Sequence, residues 1–142
     1  MNKHKHSLKP DQKEKLAVEI SVYLEKNFEQ VVAAYLYGSF VTGPFFSDID
    51  LGILSENDID RALNFELDLE NRLEGIVKYP VDVRLLNGAP LSFCQNVIRH
   101  RKIILDRKPN LRAEFEGQIL KQYFDFAYFQ RRYLQEVTNA PV

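Results

Sequence analysis

Apolar residues recur along this chain with two alternating periods, and the alternation lays out its elements. From Pro10, the residues Leu16, Ile20, Leu24 and Phe28 return at four-residue spacing and give a helix one apolar face, with Pro10 suited to its first turn. Val31–Tyr37, rich in β-branched and aromatic residues, predicts a buried strand. Gly43-Pro44 marks a loop, and residues 50–54 predict a second strand. Residues 58–75 carry both periods. Leu63, Phe65, Leu67 and Leu69 alternate as in a strand, but Asn64, Glu66, Asp68, Glu70 and Asn71 are poor strand formers. Two helical series, Ile59, Leu63, Leu67 and Phe65, Leu69, Leu73, Ile76, together with a stop at Gly75, favour a helix there. Pro80 opens a strand over 81–86 that sets Val81, Val83 and Leu85 on one face and Asp82 and Arg84 on the other. Asn87-Gly88 turns the chain, 90–99 reads as a helix, Lys102–Asp106 as a short edge strand, and 109–137 as a last long helix.

Strands and helices alternate with no repeat or linker, which predicts one α/β (α+β) domain over 1–142, a sheet layered against helices. A chain of 142 residues, 45% of them apolar, is enough for a single core. Residues 1–9 are expected to be flexible, and His4 and His6 are read as exposed terminal residues without a role. The net charge of −1 comes from 19 basic and 20 acidic residues in no long block, which argues against a nucleic-acid surface. The lone Cys94 leaves no internal disulfide, fits a reducing cytosol, and reads as a half-buried structural thiol. No apolar run approaches the roughly 20 residues needed to cross a bilayer. The basic N-terminus lacks the apolar segment of a signal peptide, so a cytoplasmic location is expected.

The candidate chemistry lies where the first strand ends and the second begins. Tyr35-Leu36-Tyr37-Gly38-Ser39 is followed, after eight residues, by Asp48-Ile49-Asp50-Leu51. In a strand, Asp48 and Asp50 share a face about 6.6 Å apart while Ile49 and Leu51 point the other way. Two carboxylates on one face pack poorly and suit a hard divalent cation, which takes oxygen ligands. Gly38 leaves room for a phosphate, and Ser39 offers it a hydroxyl and an N–H, the more so if a helix starts there. Asp82 joins this pair if the strands are neighbours. Three carboxylates around two Mg²⁺ ions about 3.5–4 Å apart would activate a hydroxyl and stabilise a leaving pyrophosphate. Asp48 and Asp50 would bridge both ions, and Asp82 would complete the acceptor-side ion and take the hydroxyl's proton. Each feature also has a plain reading: Asp48 as a turn residue, Gly-Ser as loop chemistry, Asp82 with Arg84 as a surface ion pair. Their joint occurrence in matched strand contexts favours a metal-dependent enzyme acting on a nucleoside triphosphate.

The pattern Gly38-Ser39-x8-Asp48-Ile49-Asp50-Leu51, followed by Val81-Asp82-Val83, resembles the nucleotidyltransferase superfamily that includes DNA polymerase β. More narrowly, it is similar to the minimal, MNT-type nucleotidyltransferases of prokaryotes, and Gly43 matches a glycine that often follows their Gly-Ser pair. The resemblance implies the nucleotidyltransferase fold, a small mixed β-sheet packed against helices with a long C-terminal helix. It places Gly38 and Ser39 on the triphosphate of ATP, and Asp48, Asp50 and Asp82 on two Mg²⁺. It also implies a partner, a small helical HEPN-domain RNase toxin that receives AMP on a tyrosine. This chain would be the antitoxin, since the HEPN pattern of Arg, a few residues, then His is missing: His100 follows Arg99 directly. The loop 40–47 is shorter than is usual in the family and carries Phe40, Phe45 and Phe46 where members are more polar.

The aromatic last helix bears on assembly. Leu111, Phe115, Ile119, Tyr123, Phe126 and Tyr133 form one stripe expected to cover the domain's own core, which leaves Leu120, Phe124, Tyr128 and Leu134 on other faces. That surplus, rimmed by Gln122, Arg131 and Arg132, fits either a partner surface in a homo- or hetero-oligomer or a helix buried on two sides. Two alternatives remain. One is an antibiotic-type enzyme with a small-molecule acceptor, for which little chain is left to build a second domain. The other is a non-catalytic antitoxin acting by stoichiometric binding, kept open by the phenylalanine-rich loop. Tyr35 and Tyr37 are expected to pack within the first strand rather than against a base.

Overall fold

The computed structural model describes residues 5–139; His4 and the rest of 1–4 lie outside the described residues. The order of elements is α1 Pro10–Asn27, β1 Val31–Tyr37, α2 Ser39–Thr42, β2 Ile49–Ser55, α3 Ala62–Val77, β3 Val81–Leu85, α4 Leu91–Arg99, β4 Lys102–Asp106 and α5 Pro109–Asn139. The strands form one mixed sheet in the order β3-β2-β1-β4. β1 is antiparallel to β2 and β4, and β2 is parallel to β3, with α3 as the crossover between them. β4 is an edge strand, as its length suggested. The described residues hold no helix long and apolar enough to cross a membrane.

The sheet is covered on both faces, which is why β1 is buried at every position. One face carries Leu36, Leu51, Ile53, Val81 and Val83 against Ile20 and Leu24 of α1 and Leu69 and Leu73 of α3. The other carries Ala33, Tyr35, Tyr37 and Leu54 against Cys94 and Val97 of α4 and Phe115 and Ile119 of α5. Cys94 is fully buried, not half-buried, with its thiol toward the Leu86 carbonyl at 3.5 Å. Burial pushes that thiol's pKa up, which keeps it an inert thiol.

Three expectations need correction. The helix of 58–75 starts later, at Ala62 after Arg61 with a left-handed φ of 56°, and runs past Gly75 to Val77. Val77 is buried, and its packing outweighs the roughly 1 kcal/mol cost of a helical glycine. The chain then leaves through Lys78, also left-handed, at the position glycine usually takes. His6 is not a frayed terminal residue. It exchanges both backbone hydrogen bonds with Phe46, at 2.7 and 3.0 Å, and its ring stands edge-on to Tyr79. The stripe on α5 covers the core only through its first half, at Phe115 and Ile119, while Leu111, Phe126 and Tyr133 are exposed.

Charged side chains close the sheet's periphery. Glu66, Glu70 and Glu74, one turn apart along α3, accept the outward N–H groups of Leu85, Val83 and Val81 at 2.8, 3.3 and 3.0 Å. A ladder of carboxylates thus stands where a further strand would pair with β3. Arg107 donates to the carbonyls of Leu24 and Val31 at 3.4 and 3.2 Å, and to those of Glu25 and Phe28. It caps the C-terminus of α1 and ties it to β1. On the opposite face the buried Glu116 of α5 accepts from the Tyr35 hydroxyl at 2.9 Å, from Arg112 at 2.9 Å, and from Arg101.

Two outcomes follow from these anchors. Arg107→Ala should lower unfolding free energy by about 2–3 kcal/mol, since several charge-assisted bonds vanish and helix-end carbonyls lose their donor; urea denaturation of both proteins measures this. Burial raises the Tyr35 hydroxyl pKa from 10.0 to about 12. Its contribution is therefore fully present below pH 10 and lost between pH 10 and about 12, because the unfolded chain ionises first. Urea midpoints should fall more steeply over that interval in the wild type than in Tyr35→Phe.

Candidate active site

The site is built where three strand ends meet. β1 runs out at Tyr37, and Gly38 turns the chain with φ 75° into the short helix α2, which begins at Ser39. Its carbonyl accepts the N–H groups of Val41 and Thr42 at 3.0 and 3.1 Å and the Thr42 hydroxyl at 3.1 Å, so the turn is tightly closed. A side chain at Gly38 is disfavoured twice. The backbone is left-handed, and a Cβ would lie 2.2 Å from Oδ2 of Asp50.

Asp50 is the hub. It pairs with Tyr37 across the antiparallel β1–β2 ladder and with Asp82 across the parallel β2–β3 ladder. The condition attached to Asp82 is therefore met: the strands are neighbours in the register that aligns the two carboxylates. Asp48, immediately before β2, completes the group. Each of the three half-buried residues offers a carboxylate oxygen, and these oxygens lie within 4.8 Å of one another. Ligands at about 2.0–2.6 Å from a common ion span this range, and an all-oxygen set suits Mg²⁺-like hard cations. The sequence-derived candidates Gly38, Ser39, Asp48, Asp50 and Asp82 are thus brought to one end of the sheet. The plainer reading of Asp82 also holds, since Arg84 Nε stands 3.3 Å from its Oδ1.

Tyr37 belongs to this end of the sheet as well. Its hydroxyl pKa is pushed up by burial first, then by the negative charges of Asp50 and Asp82. It stays a phenol, with its ring edge-on to Phe93 of α4 at 5.9 Å. As expected, Tyr35 and Tyr37 are both buried.

The phenylalanines of the shortened loop are accounted for by packing. Phe40 and Phe46 are buried, stacked edge-to-face at 4.9 Å, and Phe46 also meets Tyr79. They anchor the loop from beneath; Phe45 alone is largely exposed. Lys13 of α1 reaches this loop, donating to the carbonyls of Phe40 and Gly43 at 2.7 and 3.0 Å with its ammonium over the Phe40 ring. Sequence reading missed Lys13, because nothing local marks a lysine 27 residues away as the support of the turn. It also missed the α3 glutamates that fix β3 around Asp82, although their four-residue spacing was a usable sign. Burial raises the Glu70 pKa, opposed by the N–H of Val83.

A family model described as polymerase beta, nucleotidyltransferase, matches residues 18–110, which contain every one of these carboxylates. No curated protein matches the chain in sequence. Among solved structures, the chain is similar to one from the tri-AMPylated Shewanella oneidensis HEPN toxin in complex with MNT antitoxin. That match has a TM-score of 0.70 at 21% identity and covers 89% of this chain and 98% of the other. A chain of the toxin–antitoxin MntA-HepT gives 0.69 at 20% identity, covering 88% and 98%. A chain of a toxin–antitoxin with AMP-PNP gives 0.67 at 22% identity, covering 92% and 99%. At such identities the likeness is one of fold, and it extends over nearly the full length of each. With the fold, the matched segment and the clustered carboxylates in agreement, the chain belongs to the polymerase β nucleotidyltransferase family.

Proposed function

We propose that this chain is an ATP- and Mg²⁺-dependent adenylyltransferase whose acceptor is a protein hydroxyl, a tyrosine of a cognate HEPN RNase toxin, so that it acts as an antitoxin in the cytoplasm. One observation carries the chemistry: Asp48, Asp50 and Asp82 converge beside the Gly38–Ser39 turn. The acceptor is supported by a solved structure in which the HEPN toxin is tri-AMPylated, and the donor by another solved with AMP-PNP.

In this scheme the Ser39 hydroxyl and the N–H groups opening α2 hold the triphosphate, which Gly38 lets approach the backbone. Asp48 and Asp50, with Asp82 toward the acceptor, would hold the Mg²⁺ ions. Bound there, the ions would neutralise charge on the phosphates and lower the pKa of the acceptor hydroxyl. The acceptor oxygen forms a bond to the α-phosphorus, the bond from that phosphorus to the bridging oxygen breaks, and pyrophosphate leaves. Asp82 takes the hydroxyl proton. Arg84, paired with Asp82, tempers the repulsion among the three carboxylates when no cation is present. Tyr37 remains protonated beside them. Lys13 and the α3 glutamates act through the backbone by holding the turn and β3 in place.

Gly38→Ala should fold, because only one turn is affected, yet lose at least tenfold in turnover as Asp50 is displaced from its place opposite Asp82; steady-state assays with ATP and Mg²⁺ measure this, and an unchanged rate would detach Gly38 from the site. The function itself is tested by intact mass. Incubated with ATP, Mg²⁺ and a molar excess of the toxin paired with it, this chain should add adenylyl groups to the toxin. Asp50→Asn, which removes one charge at nearly constant shape, should fold normally and lose about 10³-fold or more in transfer. A toxin that is inhibited but unmodified, at one molecule per toxin, would establish a stoichiometric binder instead.

A further inference from the structure

The second half of α5 leaves apolar side chains uncovered on more than one face. Phe124, Phe126, Tyr128, Phe129 and Tyr133 are 52–64% exposed, and Leu134 and Val137 continue the surface. Phe126, Phe129 and Tyr133 share one side of the helix, with Phe124 and Tyr128 on the other; at about 150–250 Å² per aromatic side chain, those three rings expose on the order of 400 Å². One side of a standard protein interface is about 800 Å². A projecting helix of this length is marginal in water by itself, since most helical stability comes from packing. Tyr123, Phe126, Gln130, Tyr133 and Val137 follow one another at alternating spacings of three and four, the seam by which a helix packs lengthwise on another surface.

Where this half points follows from the anchors of the first. Leu111 and Phe115 line a cavity with Val32 and Leu54, at the end of the sheet remote from the carboxylates. Glu116 then meets Tyr35 and Arg101. Arg101 directly precedes Lys102, which pairs with Leu36 next to the site end of β1. α5 therefore runs along the strands toward their carboxylate end, on the face that carries Tyr37, Asp50 and Asp82, while passing from the β2–β3 side to the β4 edge. The 16 residues beyond Tyr123 extend about 24 Å further in that direction.

We propose that the exposed half of α5 is a docking arm for the protein acceptor, which lies along its aromatic seam with its reactive hydroxyl delivered to Asp82. The proposal rests on the adenylyltransferase reading above and adds the surface that selects the substrate. A small-molecule acceptor has no use for an aromatic seam projecting from the site end of the sheet, whereas a protein acceptor needs one to hold a single hydroxyl among many. Aromatic residues with Arg131 and Arg132 among them match the composition of strongly binding interfaces.

The test uses the full chain, Phe126→Asp/Tyr133→Asp, and the HEPN toxin paired with the chain as acceptor. The expected result is a KM for toxin raised at least tenfold, with kcat at saturating toxin and ATP affinity by calorimetry both within twofold of wild type. Circular dichroism checks that the domain is folded, and Phe126→Leu/Tyr133→Phe should restore the wild-type KM. A variant with unchanged KM, against a wild type that modifies the toxin, overturns the docking arm and leaves the function standing. A wild type that modifies no toxin overturns the function first. If sedimentation shows a wild-type dimer that the double substitution dissociates while KM is unmoved, the seam belongs to a second copy and the proposal fails.

Discussion

Everything at the site end of this molecule depends on the register of β2 between its two neighbours. Asp50 stands opposite Tyr37 on one side and Asp82 on the other. A slip of one residue along either ladder would turn the carboxylates into the apolar face formed by Leu36, Leu51 and Val83, and bring Ile49 and Leu51 out in their place. The register is enforced from that side, because Ile49, Leu51 and Ile53 are fully buried against α1 and α3. The core therefore positions the chemistry without contributing a group to it.

Several charges away from the site act on backbone. Three glutamates satisfy the open edge of β3, Lys13 holds the carbonyls of the α2 turn, and Arg107 gathers carbonyls from the end of α1 and the start of β1. Each replaces a hydrogen bond that regular secondary structure cannot supply there. The strand that carries Asp82 is thus stiffened without a further strand beside it. The buried Glu116 does the corresponding work for α5, fixing the base of a helix whose far half stands clear of the domain.

The fold was largely legible because its elements have clear periods. The runs at 31–37 and 102–106 became strands with the expected bounds, and the helices at α1, α4 and α5 began within a residue of their markers. The misjudged boundaries share a cause. At Gly75 the local signal said stop, but burial of Val77 carried the helix on; at His6 a polar terminal sequence hid a backbone pairing with Phe46. On α5 the amphipathic stripe was correctly located, yet a stripe does not say whether its cover is the same chain or another.

By itself the sequence determined the candidate chemistry: a Gly-Ser turn at the end of an apolar strand, two carboxylates on one face of the next, and a third with the same alternation. Spacing along one chain fixes which side chains share a face, since that depends only on the two-residue repeat of a strand. Only the tertiary structure decided that β3 lies beside β2 and parallel to it, with Asp82 level with Asp50. Only it could bring Lys13 beneath the turn, or leave the aromatic half of α5 bare. Those outcomes are set by contacts between residues tens of positions apart, whose strength comes from packing the whole core and has no local sign in the chain.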